Sequence, residues 1–190
     1  GCCHNPTGTN PSIEQWKEIC SIVKKRHIFP MFDFAYYGFG EGFREDIMPI
    51  HLFCSQIRET IICTSFSKNF SLYGERIGAL IATTHDKIFT ENIASHLKAI
   101  IRASYSNPPR HGSLLIKQVL SSPTLRQDWE TELKDIRERL NEMRKALFSG
   151  LQSRSSTNDF SFINSQRGLF SFLGIDSEQV ERLAIEYGIY

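Results

Sequence analysis

Three short apolar runs, set between helical patterns, constrain this chain more than any other feature. Ile28–Phe32 runs into Asp33, Ile61–Thr64 runs into Ser65, and Ile77–Thr83 is continuous. Runs this short, without polar alternation, fit strands buried on both faces of a parallel sheet. Helices are expected around them. Ser12 can cap a helix whose third residue, Gln15, closes a capping box, and Ile13, Trp16, Ile19, Cys20 and Val23 then recur at helical spacing. Further helices are expected at about Asp86–Ile101 and Arg110–Leu120. The pattern predicts an α/β fold: a three-layer, mostly parallel sheet with helices on both faces.

A second feature divides the chain. Leu125, Trp129, Leu133, Ile136, Leu140, Met143, Leu147 and Leu151 sustain one apolar stripe, longer than an ordinary globular helix needs. One stripe without further heptads favours a helix bridging two domains over a coiled coil. After it comes the polar stretch Ser153–Asp159, then two strand-like runs, Phe160–Ile163 and Leu169–Leu173, and a helix over Ser177–Tyr187. The expectation is a large domain over residues 1–122, followed at 123–190 by the bridging helix and part of a smaller α+β domain. No internal repeat or low-complexity tract interrupts this plan.

Composition excludes several functions. With 41% hydrophobic and 23% charged residues and a net charge of +1, the chain offers no electrostatic case for nucleic acid or an acidic membrane surface. No apolar run approaches the roughly 20 residues of a membrane span. Five cysteines, two of them adjacent, suggest no disulfide framework and a reduced, cytoplasmic setting. The six histidines lack metal-ligand spacing, so no metal site is expected. Gly38-Phe39-Gly40-Glu41-Gly42 does not match a dinucleotide fingerprint and reads as a turn. His4 and His111 read as structural.

Polar residues at strand ends carry more weight, because open parallel sheets bind ligands there. Asp33, Ser65 and Lys68 occupy such places. An aspartate alone could cap the next turn, and a lysine alone is a surface lysine. Arg76 and the small residues between change that balance. A phosphorylated aldehyde cofactor needs an amine for a Schiff base, hydroxyl and guanidinium donors for its phosphate, and a carboxylate facing its ring nitrogen. Lys68, Ser65, Arg76 and Asp33 supply that set.

Ser65-Phe66-Ser67-Lys68, then seven residues, then Arg76-Ile77-Gly78, resembles the pyridoxal-phosphate attachment motif of class I aminotransferases. Asn5-Pro6-Thr7-Gly8 and Asp33-Phe34-Ala35-Tyr36-Tyr37-Gly38-Phe39 resemble two further elements of that family, in the right order. Within it, the likeness is greatest to the aspartate aminotransferases, whose blocks are echoed in Tyr105-Ser106-Asn107-Pro108-Pro109 and Arg167-Gly168-Leu169-Phe170. The resemblance covers essentially the whole chain.

What the resemblance implies can be given residue by residue. Lys68 holds pyridoxal 5'-phosphate as a Schiff base and, when displaced, moves the substrate's α-proton. Asp33 pairs with the ring nitrogen, Asn5 and Tyr36 bind the ring oxygen, and Ala35 lies under the ring. Ser65 and Arg76 hold the phosphate, and Ser106 reaches the phosphate in the neighbouring subunit of a homodimer. Arg102 pairs with the side-chain carboxylate of the substrate, again across the dimer; Asn5 also touches substrate. The substrates implied are amino acids and 2-oxo acids, with aspartate and 2-oxoglutarate foremost. Ser71 and Gly74 depart from the Gly and Asn expected in the lysine block.

The resemblance also implies that the family's phosphate turn, ring-stacking aromatic and α-carboxylate arginine fall outside Gly1–Tyr190, so the segment alone is expected to be inactive. Two alternatives stand beside the aspartate reading. One is an aromatic-amino-acid aminotransferase, which can keep the same Arg102; the other is a truncated, non-catalytic fragment of such an enzyme.

Overall fold

The computed structural model describes residues 1–155 and 157–190; Ser156, inside the polar stretch noted above, lies outside the described residues. The elements in order are α1 (Ile13–Lys25), β1 (Met31–Phe34), α2 (Phe43–Gln56), β2 (Thr60–Ser65), β3 (Gly78–Thr83), α3 (Lys87–Tyr105), α4 (Arg110–Ser121), α5 (Pro123–Gln152), α6 (Phe162–Ser165) and α7 (Ser177–Tyr187). The α/β class expected from the sequence holds.

The helix boundaries follow from local chemistry. Ser12 and Gln15 form the expected capping box, with the Ser12 N–H donating to Gln15 Oε1 at 2.7 Å and the Gln15 N–H to Ser12 Oγ at 3.3 Å. Asp176 and Gln179 repeat the device at α7, which ends on Gly188 in the left-handed conformation. Ser122 caps α5, with Pro123 in its first turn, where a missing N–H costs nothing.

Between residues 42 and 60 a helix appears that the sequence reading does not contain. α2 carries Pro49 in its interior, which hides a helical spacing of Phe43, Ile47, Ile50 and Phe53. Its inner residues Ile50 and Phe53 join Cys20 and Val23 of α1, Phe32 and Phe34 of β1, and Ile62 of β2 in one apolar core. A second core gathers Cys3, Tyr36, Phe39 and Leu133, which ties the first loop to the middle of α5.

The sheet has three strands in the order β1-β2-β3. β1 pairs with β2 in parallel, with Asp33 opposite Cys63. β3 is antiparallel to β2, with Ser65 opposite Gly78. The third run is therefore not a parallel strand. The first strand also starts later than expected, after Pro30, so Asp33 lies within it.

The two runs expected as strands after the long helix are not strands. Residues 162–165 form the short α6, and no strand includes residues 169–173. The reason is a competition for backbone groups. Gln166 turns back on Phe172, donating from Nε2 to its carbonyl at 2.9 Å and accepting from its N–H at 2.8 Å. Arg144, 4% exposed, donates to the carbonyls of Gly168 at 2.7 Å and Phe170 at 3.3 Å. Side chains thus satisfy groups that a neighbouring strand would otherwise bond. No acidic partner meets Arg144 among the described residues; burial and the nearby Arg167 lower its pKa from the ordinary arginine value.

The glycine-rich stretch after β1 is a turn organised by one carboxylate. Asp46, 5% exposed, accepts from the N–H groups of Gly38 at 2.9 Å, Gly40 at 3.1 Å and Glu41 at 3.0 Å. Burial raises its pKa from the ordinary carboxylate value while those three donors oppose the rise. Gly40 is required by contact, since a Cβ there would stand 2.2 Å from Asp46 Oδ1. Asp46→Ala leaves three donors without their acceptor, and in the full-length protein it is expected to cost about 2–4 kcal/mol. Asp46→Asn, which keeps one acceptor oxygen, is expected to cost less. Urea denaturation measures both, and a loss below about 0.5 kcal/mol for the alanine variant would mean the turn stands without its carboxylate.

Among the described residues, no helix is long and apolar enough to cross a membrane, and no group of three or more His, Cys, Asp or Glu side chains is placed to hold a metal ion. All five cysteines are free thiols.

Candidate active site

The site grows from the alternation of two strands. Phe32 and Phe34 point into the first core, so Asp33 emerges on the opposite face of the sheet and is exposed. Ser65 shares that face, because Asp33 pairs with Cys63 two residues earlier on β2. After β2 the chain turns tightly. Ser65 Oγ accepts from the Ser67 N–H at 3.2 Å, the Phe70 N–H donates to Phe66 O at 3.3 Å, and the Ser71 N–H to Lys68 O at 3.2 Å. The Phe66 N–H reaches Ile77 O at 3.1 Å, which brings the residue after Ser65 beside the one after Arg76.

Lys68 Nζ lies 4.9 Å from the centroid of the Tyr36 ring, over its face. A cation so placed is attracted by the ring quadrupole. The Tyr36 hydroxyl accepts from Asn5 Nδ2 at 3.0 Å, and the edge of Phe170 meets the Tyr36 ring at 5.6 Å between centroids. Cys2 Sγ donates to Tyr36 O at 3.6 Å, and the neighbouring Cys3 side chain and burial push its thiol up from the ordinary cysteine value.

Most of the expected residues converge. Asn5, Tyr36 and Lys68 form one cluster, with Ala35 half-buried beside it against the second core. Asp33 and Ser65 share one face at adjacent strand ends, and the Asp33 carboxylate accepts no hydrogen bond among the described residues. Arg76, exposed and in a left-handed conformation with φ 51°, gives one Nη to Tyr73 O at 3.1 Å. Ser71, where the resemblance leads one to expect glycine, also has a positive φ, 55°.

Arg102 and Ser106 stand apart. Both are exposed at the end of α3, where an Arg102 Nη donates to Ser106 Oγ. Among the described residues, no hydrogen bond joins them to Asn5, Tyr36 or Lys68, and no acidic side chain pairs with Arg102.

Two supporting residues escaped the sequence reading. Asn69, buried, donates from Nδ2 to Tyr37 O at 3.2 Å and so ties the lysine turn to the loop after β1. Trp129 of α5 donates its indole N–H to Asn69 O at 2.6 Å. Trp129 was legible only as one member of an apolar stripe.

Comparison with known proteins places this geometry. The family model described as aminotransferase class I and II matches residues 1–190. The aspartate aminotransferase of Escherichia coli (strain K12) is 45% identical over all of this chain, which covers 48% of that protein. The aromatic-amino-acid aminotransferase of Paracoccus denitrificans is 43% identical, again over the whole chain and 48% of its own length. The crystal structure of an aromatic-amino-acid aminotransferase from Burkholderia pseudomallei covalently bound to pyridoxal phosphate superposes with a TM-score of 0.96 at 46% identity, covering 100% of this chain and 47% of that one. The chain thus spans about half the length of the relatives it matches. Through a match that runs from its first residue to its last, the chain belongs to the class I and II aminotransferases.

Proposed function

We propose that this chain is the cofactor-bearing part of an aspartate aminotransferase, which exchanges an amino group between aspartate and 2-oxoglutarate. The observation that carries the reading is the amine of Lys68 held over Tyr36, whose hydroxyl is fixed by Asn5. The donor set fits pyridoxal phosphate: one amine, a carboxylate without a hydrogen-bond partner among the described residues on the same side of the sheet as Ser65, a phenol–amide pair, and the Ser65 hydroxyl on a backbone paired with the segment that follows Arg76.

When bound, pyridoxal phosphate supplies an electron sink for the charge left when a substrate loses its α-proton. The protein's residues do the rest. Lys68 would hold the cofactor's aldehyde carbon through its amine and, when free, would carry the substrate's α-proton as a general base and acid. Asp33 keeps a proton on the ring nitrogen by presenting a carboxylate to it, and each pKa unit of that support is worth about 1.4 kcal/mol. Asn5 and Tyr36 would hold the ring oxygen, with Asn5 also binding substrate, and the small side chain of Ala35 would leave room for the ring. Ser65 and Arg76 grip the phosphate.

Arg102 and Ser106 act on the neighbouring subunit of a homodimer, a role in keeping with their exposure and their distance in bonding from the Lys68 cluster. The free thiols accord with the cytoplasm. The large domain ends near residue 122, and α5 bridges to the smaller one. Aromatic substrates form the second reading, favoured by the equally high identity to aromatic-amino-acid aminotransferases.

Asp33→Ala in the full-length enzyme tests the core of the proposal. It is expected to retain the cofactor yet lose about two to four orders of magnitude in kcat. Borohydride reduction and peptide mapping of the same protein should place the label on Lys68. Full turnover with cofactor retained would remove Asp33 from the mechanism.

A further inference from the structure

We propose that Trp129 is a positioning residue for Lys68, holding the turn that carries the reactive amine against the loop that carries Tyr36. The proposal rests on the reading of Lys68 given above. Residues 69 and 70, directly after the lysine, are held from three directions. The Trp129 N–H binds Asn69 O at 2.6 Å. The Trp129 ring stacks on Phe70, 4.3 Å between centroids and 20° between planes. The Asn69 amide binds Tyr37 O at 3.2 Å.

The same indole reaches the other loop. Its ring lies 4.7 Å from Phe43, which meets Tyr37 at 4.9 Å, and Tyr37 meets Phe34 at 4.9 Å. A continuous row of rings therefore runs from the lysine turn to the strand that bears Asp33. α5 extends the brace along one face. Arg137 donates to Gly38 O at 2.8 Å, and Arg144 takes the Gly168 and Phe170 carbonyls. Positions 129, 133, 137, 140 and 144 follow helical spacing, so one rigid helix indexes three loops around the Lys68–Tyr36 pair.

A half-buried indole N–H still favours an acceptor, and any carbonyl would serve stability alone. Here the acceptor is the peptide next to Lys68, in a residue whose other oxygen, Asn69 Oδ1, is buried without a partner among the described residues. Losing the indole N–H leaves Asn69 with two unmet acceptors in one place, and the turn has reason to shift. Shifts near an ångström at a reacting group cost up to about a hundredfold in rate.

Trp129→Phe in the full-length enzyme keeps a stacking ring and removes the N–H. Trp16→Phe is the matched control, since Trp16 packs against Phe32 and Phe53 in the other core. Three readouts separate positioning from packing: the rate at which the apoenzyme captures pyridoxal phosphate on Lys68, the pH midpoint of the bound cofactor's visible absorbance, and the split between kcat and KM. In W129F, capture and kcat are expected to fall about tenfold with KM for aspartate little changed. The midpoint is expected to move by about half a pH unit or more. W16F should lower the melting temperature and move none of the three.

If W129F and W16F lose stability alike and the three readouts stay at wild-type values, Trp129 is core packing and the proposal is overturned. Phe70→Leu, which removes the stacking partner and keeps the N–H, carries the same test should W129F not fold; capture about threefold slower supports the proposal, and unchanged capture overturns it. Capture on another lysine in the wild-type enzyme would overturn the Lys68 reading and this proposal together. Capture on Lys68 with W129F unaffected overturns this proposal alone.

Discussion

Lys68→Ala in the full-length enzyme is expected to abolish covalent attachment of pyridoxal phosphate and to lower kcat by at least about three orders of magnitude. Two functions are lost at once. On the proposed reading the amine that forms the Schiff base disappears, and so does the group that carries the α-proton, a contribution of roughly 10²–10⁴-fold by itself. The other residues proposed to hold the cofactor are untouched, since Asn5 and Tyr36 bond each other without help from the lysine. Cofactor should therefore still bind, but reversibly, and borohydride should leave no pyridoxyl label. Lys68→Arg keeps a cation over the Tyr36 ring and separates loss of charge from loss of the amine. Both variants should be inactive. Turnover within tenfold of wild type in either would move the cofactor to another residue.

How far the sequence revealed this site depended on the distance over which each feature is specified. Capping boxes, helical stripes and apolar runs are encoded within a few residues, and Ser12–Gln15, the long α5 and the position of β2 were legible for that reason. The family motifs are local too, and they singled out the Lys68, Tyr36 and Asn5 that the fold brings together. What remained hidden is set by contacts distant in sequence. Trp129 reaches Asn69 across 60 residues, and Arg144 reaches Gly168 across 24. Nothing in an apolar stripe says which member has its N–H on the turn that carries Lys68. The run Leu169–Leu173 looked like a strand because its composition suits one, and Arg144 and Gln166 took the backbone groups instead. β3 misled in a related way, since an apolar run reports burial in the finished protein and not strand direction.

On the proposed reading Arg102 sets the choice of substrate, and Arg102→Leu in the full-length protein is expected to lower kcat/KM for aspartate and glutamate by about two to four orders of magnitude. A planar guanidinium grips a carboxylate through two parallel charge-assisted bonds, each worth roughly 1.5–3 kcal/mol. Every 1.4 kcal/mol or so is tenfold in the measured ratio. In this chain Arg102 spends one Nη on Ser106 Oγ and meets no acidic side chain among the described residues, so the guanidinium is available for a carboxylate brought to it. Substrates without a side-chain carboxylate, such as alanine and phenylalanine, have no such bond to lose, and their kcat/KM should change little. The contrast is the test, because a damaged fold slows all substrates alike. Equal losses for dicarboxylate and neutral substrates would make Arg102 structural and remove the main support for aspartate. Should the wild-type enzyme turn over phenylalanine as well as aspartate, the aromatic reading replaces the aspartate one, with Arg102 still serving whichever dicarboxylate partner completes the exchange.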